Sequence, residues 1–371
     1  MNVPLLDLVA QHETIKDSVM PALMAVIERQ GFIMGPEVAE LEAAVAALSC
    51  ARHAIACASG TDALLLPLKA LDLHPGDEVI TTAFTFFATG GAIHNAGGTP
   101  VFVDIDAGTF NLRTDAVEAA ITPRTRAIVA VDLYGQMAPV EQLMALATRH
   151  GLAVIEDAAQ AIGARRRVDG VWRMAGELPT FGTFSFFPSK NLGGWGDGGM
   201  MVTQDDAPAA RLRKLRLHGG AKQYHHEEVG FNSRLDTVQA AILLAKFPFL
   251  AGWSEARRQH AARYSEAFGA MESVQPPVTD ASNEHIFHQY TVRVARRDAL
   301  QAHLKARGIG SAIYYPVALH LQPCFASLSY ARGSLPETER AMTDVLSLPI
   351  YPELTLAQQD AVIGAVREFY T

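Results

Sequence analysis

The segment Leu152-Ala-Val-Ile-Glu-Asp-Ala-Ala-Gln160 places four apolar residues directly before two acidic ones. A short apolar run without alternation is typical of a strand buried on both faces of a parallel sheet. Further runs of this kind lie upstream, at Glu78–Thr81, Pro100–Asp104 and Arg126–Val131. The segment therefore predicts one strand of a mostly parallel sheet, with Asp157 at the carboxyl end, where ligands of such sheets bind.

Helical patterns alternate with these strands, which indicates an α/β fold. We predict helices at residues 36–49, 61–72, 114–121 and 139–150. After about Lys246 the pattern changes to a charged helix at 253–268, a Pro276-Pro277 turn, a strand at 288–294 and helices at 298–307 and 356–369. We therefore predict a large domain over residues 1–250 and a smaller C-terminal α+β domain over residues 251–371. An N-terminal helix at 12–30 is expected to pack with the smaller domain.

The composition is typical of a globular protein. The chain has 371 residues, 49% of them hydrophobic, and a net charge of -8. Broad nucleic-acid binding needs a basic surface, and the longest stretch without charge, Thr81–Val103, contains glycines and a proline that a membrane-spanning helix disfavours. The N-terminus lacks the pattern of a signal peptide, and the three cysteines are scattered. We expect a cytoplasmic protein without nucleic-acid, membrane or metal binding.

A single lysine stands out in Gly182-Thr-Phe-Ser-Phe-Phe-Pro-Ser-Lys-Asn-Leu-Gly-Gly-Trp-Gly-Asp-Gly-Gly199, where Lys190 lies between an aromatic stretch and a run of glycines. A lysine is a useful nucleophile only when its pKa, about 10.4 in water, is lowered by its surroundings. The aromatic residues provide shielding, and the glycines let the backbone approach a flat ligand. The arrangement indicates a Schiff-base lysine, with a solvated surface lysine as the alternative.

Two further motifs fit the same ligand. Ala58-Ser-Gly-Thr-Asp62 precedes a helical run, so Gly60 and Thr61 lie at a helix N-terminus, where free N–H groups favour a phosphate. Asp157 is placed to pair with a heterocyclic N–H⁺, with a helix cap as the alternative. A phosphate site, a carboxylate and a lysine are the protein groups that pyridoxal phosphate requires. We therefore predict this cofactor.

With these motifs the chain resembles the pyridoxal-phosphate sugar aminotransferases of the DegT/DnrJ/EryC1/StrS family over nearly its whole length. The resemblance implies fold type I, the aspartate aminotransferase-like fold, with a mostly parallel central sheet. It is carried by the blocks Gly35-Pro-Glu37, Ser59-Gly-Thr-Asp62, Gly76-Asp-Glu-Val-Ile80, Val103-Asp-Ile-Asp106, Tyr134-Gly135, Glu156-Asp-Ala-Ala-Gln160, Ser185-Phe-Phe-Pro-Ser-Lys190, Gly196-Asp-Gly-Gly199 and Gly230-Phe-Asn-Ser-Arg-Leu-Asp236.

The resemblance also assigns roles around the cofactor. Lys190 would bind the cofactor covalently and then move a proton between cofactor and substrate carbons, while Asp157 would keep the ring nitrogen protonated. Gln160 would bond the ring hydroxyl, and Phe86 would stack on the ring, with core packing as its alternative. The phosphate would be held by Gly60, Thr61 and Ser185.

A second set of residues is implied to act between subunits or on the substrate. Asn232 resembles a residue that reaches the phosphate of the neighbouring subunit's cofactor, which implies a homodimer with shared sites, although an Asn-Ser pair alone indicates a turn. Arg234 would hold the anionic sugar nucleotide or the carboxylate of the amino donor, with an interface salt bridge as the alternative. Tyr314 and Tyr315 would approach the sugar, with core packing equally open.

The resemblance implies a transamination. Glutamate or glutamine would donate its amine to the cofactor, and a ketone on a nucleotide-linked sugar would then accept it. Related dehydratases carry histidine at the position of Lys190, so its identity favours an aminotransferase. The stretch Tyr224–Ala241 is most similar to enzymes acting on UDP-linked 3-keto sugars such as UDP-2-acetamido-2-deoxy-3-oxo-glucuronate. The alternatives are a 4-keto sugar aminotransferase for lipopolysaccharide or antibiotic sugars, and a non-catalytic regulatory subunit that binds the cofactor.

Overall fold

A computed structural model describes residues 2–222 and 224–371 of the chain. The helices are α1 (Leu8–Arg29), α2 (Pro36–Leu48), α3 (Gly60–Ala70), α4 (Phe87–Ala96), α5 (Thr114–Ala120), α6 (Val140–His150), α7 (Asp206–Leu215), α8 (Thr237–Lys246), α9 (Leu250–Phe268), α10 (Arg297–Ala306), α11 (Pro336–Asp344) and α12 (Leu356–Tyr370). The strands are β1 (His53–Cys57), β2 (Glu78–Thr82), β3 (Thr99–Val103), β4 (Thr125–Val131), β5 (Ala153–Asp157), β6 (Arg165–Val168), β7 (Val171–Met174), β8 (Phe181–Ser185), β9 (Gly199–Thr203), β10 (Val274–Gln275), β11 (Asn283–Glu284), β12 (Tyr290–Val294) and β13 (Val345–Leu348).

A seven-stranded sheet in the order β1-β9-β8-β5-β4-β2-β3 forms the centre of the molecule. Strand β9 runs antiparallel to both of its neighbours, and the other pairings are parallel. The predicted mostly parallel sheet is therefore confirmed. The four strands proposed from apolar runs are β2, β3, β4 and β5, and each lies within one residue of its predicted start or end.

Helices cover both faces of this sheet, which explains why its strands are apolar without alternation. Met200 and Met201, neighbours on β9, enter two different apolar clusters because successive side chains of a strand point to opposite faces. One cluster includes α2 and α8, and the other includes α3, α4 and α7. On β5 the same alternation turns Asp157 toward α4 and Glu156 toward the opposite face.

A separate apolar cluster gathers around the antiparallel sheet β10-β12-β13, with α9, α10 and α12 packed on it. Val3 belongs to this cluster and pairs with Ile309 through an isolated bridge. Helix α1 itself packs along α8 and reaches Trp253 at the start of α9. Val3, ahead of α1, thus joins the C-terminal cluster, and α1 contacts the predicted smaller domain at Trp253. The predicted domain boundary near residue 250 stays a prediction.

A third, small sheet in the order β11-β6-β7 was not anticipated from the sequence. It carries the hairpin that follows β5 and lies next to the segment leading into β12. None of the helices in the described residues is long and apolar enough to cross a membrane.

Candidate active site

A cavity of about 580 Å³ opens at the carboxyl ends of β5 and β8. Parallel strands gather ligand-binding groups at this edge because the loops that follow them meet there. Most of the predicted site residues line it: Gly60, Thr61, Phe86, Asp157, Gln160, Ser185, Lys190, Tyr314 and Tyr315. Asn232 and Arg234 are not among its lining residues.

Asp157 is buried at the floor of the cavity and holds two hydrogen bonds. The Thr89 hydroxyl donates to Oδ2 at 2.8 Å, and the Ala159 backbone N–H donates to Oδ1 at 3.3 Å. Burial raises the pKa of this carboxyl above its usual value, and the two hydrogen bonds and the charge of Lys190 oppose the shift. A protonated heterocyclic nitrogen would pair with Asp157 here, because a cation in a dry site favours the ionised carboxylate.

Lys190 lies in the turn that follows β8, and its backbone N–H donates to the Phe187 carbonyl at 2.9 Å. Burial lowers the pKa of its amine to about 8, and the nearby Asp157 carboxylate limits this fall. A larger fraction of the amine is therefore neutral near pH 7 than on a surface lysine, and the neutral amine is the nucleophile. The surface-lysine alternative is thus not what the structure shows.

The N-terminus of α3 forms a cradle against the end of β8. Ser59 caps the helix, because its hydroxyl accepts from the Asp62 N–H at 3.1 Å. A Cβ on Gly60 would lie 2.6 Å from the Ser185 Cβ, so only glycine allows this close approach. The N–H groups of Gly60 and Thr61 have no partner within the described residues and lie at the positive end of the helix dipole. This geometry suits a phosphate.

Gln160 is held in a fixed orientation on the cavity wall. Its Oε1 accepts from the Tyr134 backbone N–H at 2.7 Å, and its Nε2 donates to the Tyr315 hydroxyl at 3.0 Å. The second hydrogen of Nε2 remains free. The amide nitrogen can therefore donate one more hydrogen bond to an oxygen, and it cannot accept one. Phe86 lies across the cavity at the start of α4, with 59% of it exposed and its ring centre 6.3 Å from that of Tyr315. An exposed aromatic of this size suits stacking on a flat ring.

The segment that carries Asn232 and Arg234 lies beside the cradle, outside the cavity. Ser233 anchors it there, since its hydroxyl donates to Asp62 Oδ2 at 2.7 Å and accepts from the Ala58 N–H at 3.3 Å. Asn232 is exposed. Arg234 forms no salt bridge within the described residues, and its Nε is buried without a hydrogen-bond partner.

Sequence reasoning missed four residues that shape the site: Thr89, Tyr134, Asn191 and His288. Thr89 was detectable in principle, because a polar residue in the first turn of a helix that follows Phe86 faces the same edge. His288 had no local signal, because it lies about a hundred residues beyond Lys190 and only the fold brings the two together. The structure brings Asp157 and Lys190 into one cavity, and their roles toward the cofactor stay predictions.

Comparison with protein families decides which chemistry these residues serve. The model of the DegT/DnrJ/EryC1/StrS aminotransferase family matches residues 13–367. The chain belongs to this family. It is accordingly a pyridoxal-phosphate-dependent aminotransferase of fold type I, as its motifs predicted.

Several relatives of this aminotransferase are similar over their full length. A "pleiotropic regulatory protein" of Geobacillus stearothermophilus is 53% identical over 100% of this chain and 99% of the relative. A UDP-N-acetyl-3-dehydro-alpha-D-glucosamine 3-aminotransferase of Acidithiobacillus ferrooxidans is 46% identical over 98% and 97%. A UDP-2-acetamido-2-deoxy-3-oxo-D-glucuronate aminotransferase of Pseudomonas aeruginosa is 42% identical over 98% and 99%. The crystal structure of DesV from S. venezuelae with a ketimine intermediate superimposes with a TM-score of 0.96, at 44% identity over 99% and 98%.

The residues of the aminotransferase cavity fit its cofactor. Asp157 offers the carboxylate for a ring nitrogen, Gln160 a free amide hydrogen for a ring oxygen, and Phe86 an exposed ring for stacking. The α3 cradle offers two unpartnered N–H groups for a phosphate, and Lys190 offers an amine. Each group needed by pyridoxal phosphate is thus present in the lining of a single cavity.

Proposed function

We propose that this aminotransferase moves an amino group from glutamate or glutamine to a nucleotide-linked keto sugar, and that the sugar is a UDP-linked 3-keto sugar such as UDP-2-acetamido-2-deoxy-3-oxo-glucuronate. The observation that carries the proposal is Lys190, whose amine lies buried beside Asp157 with a pKa lowered to about 8. Two relatives named as 3-amino-forming enzymes on UDP sugars support the substrate class.

The bound cofactor supplies an electron sink for the substrate carbon that loses or gains a proton. The chain does the rest. Asp157 keeps a proton on the ring nitrogen, because its ionised form is stabilised by Thr89 and by that cation. Gln160 donates to the ring oxygen and Phe86 covers the ring face. The N–H groups of Gly60 and Thr61, with Ser185, hold the phosphate.

Lys190 has two tasks in this proposal. Its neutral amine would hold the cofactor, and the same amine, when free, would carry the proton from one carbon to another. General acid–base transfer of this kind is most efficient when the pKa of the group lies near the working pH. Burial moves the amine of Lys190 toward that range.

Tyr314 and Tyr315 would contact the sugar, and the proposal is supported by their position in the lining of the same cavity. Tyr315 is tied to Gln160, and the Tyr134 hydroxyl donates to the Tyr314 carbonyl, so the pair is connected to the cofactor residues. The core-packing alternative describes them only in part, because both remain half-buried.

The substrate is tested by offering the pyridoxamine-loaded protein a panel of UDP- and dTDP-linked 3-keto and 4-keto sugars and recording product masses. We expect a mass change for amination with UDP-linked 3-keto sugars. Turnover restricted to 4-keto sugars would replace the preferred substrate by the alternative, an enzyme for lipopolysaccharide or antibiotic sugars. Supplying glutamate, glutamine and alanine separately identifies the donor.

A regulatory role is the second candidate, because one relative carries the name of a pleiotropic regulatory protein. The complete set of Lys190, Asp157 and Gln160 in one cavity favours catalysis. The two functions differ in a simple property. An aminotransferase loaded with cofactor loses its visible absorbance when a donor amine is added, whereas a regulatory subunit that binds the cofactor keeps it.

We also propose a cytoplasmic homodimer whose two sites each take residues from both copies. An apolar surface supports it: Met20, Met24 and Ile27 of α1, then Phe32, Ile33 and Met34, and Trp195 are all exposed. These parts adjoin the Asn232 segment, because Ile33 bridges Asp236 and the Trp195 N–H donates to Gln239 Oε1 at 2.8 Å. Contiguous exposed apolar surface marks an interaction site.

In this dimer, Asn232 of one copy would reach the phosphate of the other, and Arg234 would bind an anionic part of the substrate or donor. Their own cavity does not include them, and Arg234 has no salt bridge within the described residues. The cavity lining contains no arginine. An anionic substrate therefore needs cations from elsewhere, and the partner's Arg234 would provide one.

Complementation distinguishes a shared site from a site within one chain. A Lys190→Ala chain and an Arg234→Ala chain carry different tags, and the mixed dimer is purified through both. If sites are shared, one of the two sites in the mixed dimer has both residues intact, and its activity is roughly half that of the wild type. A mixed dimer no more active than the average of the two variants would show that each chain uses its own Arg234.

A further inference from the structure

His288 lies on the wall of the cavity that contains Lys190, although nothing in its sequence surroundings marks it. It lies two residues before the start of β12, and only 8% of it is exposed. Its Nδ1 is 3.0 Å from the Oδ1 of Asn191, the residue that follows Lys190 in the chain. The histidine is thus attached to the turn that carries the lysine.

The neighbours of Asn191 determine which ring nitrogen of His288 carries the proton. Asn191 Nδ2 donates to the Ile286 carbonyl at 3.4 Å, so its Oδ1 faces the histidine. The reverse orientation of the amide would place two oxygens against each other. Because Oδ1 only accepts, the proton lies on Nδ1 and the lone pair lies on Nε2. Within the described residues, Nε2 has no hydrogen-bond partner.

The ring of His288 is neutral in these surroundings. Burial lowers its pKa well below the usual value, and the charges of Lys190 and Arg257 lower it further. The polar side chain that contacts the ring is the neutral Asn191 amide, which does not stabilise an imidazolium as a carboxylate would. Nε2 is therefore a permanent acceptor.

The backbone of His288 is fixed from two sides. Arg257 Nη1 donates to the carbonyls of Phe287, His288 and Ile350 at 3.2, 3.3 and 2.9 Å. On the other side a Cβ on Gly135, whose φ is +100°, would lie 3.0 Å from the His288 nitrogen. The ring consequently has little freedom to move away from Lys190.

We propose that His288 is a positioning residue for Lys190: its Nε2, which has no partner among the described residues, is the acceptor to which the protonated Lys190 amine turns once that amine is free of the cofactor. The proton stays on Nζ, so the positive charge remains on the lysine and the imidazole ring stays neutral. The hydrogen bond holds the ammonium in one orientation while it waits to return its proton to carbon. The inference rests on Lys190 acting as the proposed amine.

The first test uses the wild-type protein. Nitrogen-15 NMR of labelled histidine distinguishes the two tautomers and the charged ring, and the His288 signal is identified by its absence in His288→Gln. We expect a neutral ring protonated on Nδ1 at pH 7. A charged ring, or a proton on Nε2, would overturn the proposal without any dependence on activity.

The second test measures the pH midpoint for labelling of Lys190 by an amine reagent in the cofactor-free protein, read by peptide mass. A hydrogen bond to a charged group contributes about 1.5–3 kcal/mol, and one pH unit corresponds to about 1.4 kcal/mol. Loss of the acceptor in His288→Leu should thus lower the midpoint by about one unit. His288→Gln retains an acceptor oxygen and should keep the midpoint near that of the wild type.

His285→Leu is the matched control. His285 is also buried and neutral on the same segment, but its ring stacks on Phe287 with centres 3.9 Å apart and does not line the cavity. Its removal should leave the midpoint of Lys190 unchanged. An equal shift in both leucine variants, or none in His288→Leu, would contradict the proposal. Because no sugar is present, the result is independent of whether the proposed substrate is correct.

Discussion

The cavity wall and the Asn232 segment differ in how many of their polar side chains find a hydrogen-bond or salt-bridge partner within one chain. On the wall, Asp157 accepts from Thr89 and Ala159, and Gln160 is tied to two neighbours. In the segment, Asn232 is exposed and Arg234 forms no salt bridge within the described residues. Ser233 between them is anchored on both sides. The hydrogen bonds of the cavity wall are thus completed within one chain. The side chains of Asn232 and Arg234 are left without partners among the described residues, and we propose that they act in the partner copy.

The two regions also differ in the free energy that their side chains cost the folded protein. The wall contains ionisable groups that burial shifts from their ordinary pKa values, upward for Asp157 and downward for Lys190. Keeping such groups in a dry site destabilises the folded protein and is tolerated where they serve chemistry. Asn232 in the segment is uncharged and exposed, so it adds no such cost. Substitutions on the wall should therefore affect the chemistry more than substitutions in the segment.

The largest effect is expected for Lys190→Ala. Without the amine, the cofactor cannot attach and the proton cannot be moved, so we expect activity to fall by at least about 10³-fold and the visible absorbance of the attached cofactor to be lost. Absorbance spectra and single-turnover measurements with a donor amine record both. Lys246→Met is the matched control. Its amine also has a pKa lowered to about 8, but it donates to the Gly193 carbonyl outside the cavity. Retained absorbance in Lys190→Ala would contradict the assignment.

An intermediate effect is expected for Gly60→Ala. The new Cβ would lie 2.6 Å from Ser185 Cβ, so the cradle must open. Overpacking of this kind amounts to about 1–3 kcal/mol, which corresponds to an affinity for the cofactor roughly 10–100-fold weaker. Equilibrium titration with pyridoxal phosphate measures it. Gly252→Ala, in α9 with no atom within 4 Å of its Cβ, should leave the affinity unchanged. An unaltered affinity in Gly60→Ala would show that the phosphate does not bind in this cradle.

A smaller effect is expected for Asn232→Ala. If its amide reaches the phosphate in the partner copy, one hydrogen bond to a charged group is lost, and the cofactor should dissociate about 10-fold more readily. The effect should disappear under dilution to monomers, because only the dimer places the amide there. Cofactor release measured by fluorescence at several protein concentrations tests this. If Asn232→Ala released the cofactor faster at every protein concentration, Asn232 would act on the cofactor of its own chain.

The difference between the two regions also explains what the sequence could predict. Lys190, Asp157 and Gly60 follow strands or begin helices, so local patterns and strand-end geometry place them together. Thr89, Tyr134 and His288 act through contacts that only the assembled fold creates, since Tyr134 reaches Gln160 and His288 reaches Asn191 from distant segments. The small sheet β11-β6-β7 was missed for the same reason, because β11 pairs with β6 across more than a hundred residues.

The smallest effect on activity, and a distinct effect on stability, is expected for Glu156→Gln on the far face of β5. Asp132 Oδ2 and Glu156 Oε1 are buried without a hydrogen-bond partner among the described residues, and the charge of Glu156 helps to raise the pKa of Asp132. We infer that the two carboxyls share a proton. Burial raises the pKa of Glu156 from 4.5 to about 7. The folded protein thus binds this proton more tightly than the unfolded chain, and stability should fall as the pH rises from about 4.5 to about 7. Glutamine can donate to Asp132 and does not titrate, so the variant should lose the part of this slope that comes from Glu156 and be more stable than the wild type at pH 8. Urea unfolding at a series of pH values measures this slope.

An unchanged slope in Glu156→Gln would mean that the pair does not share a proton. A change in activity at pH 7 would mean that this face of β5 is not independent of Asp157.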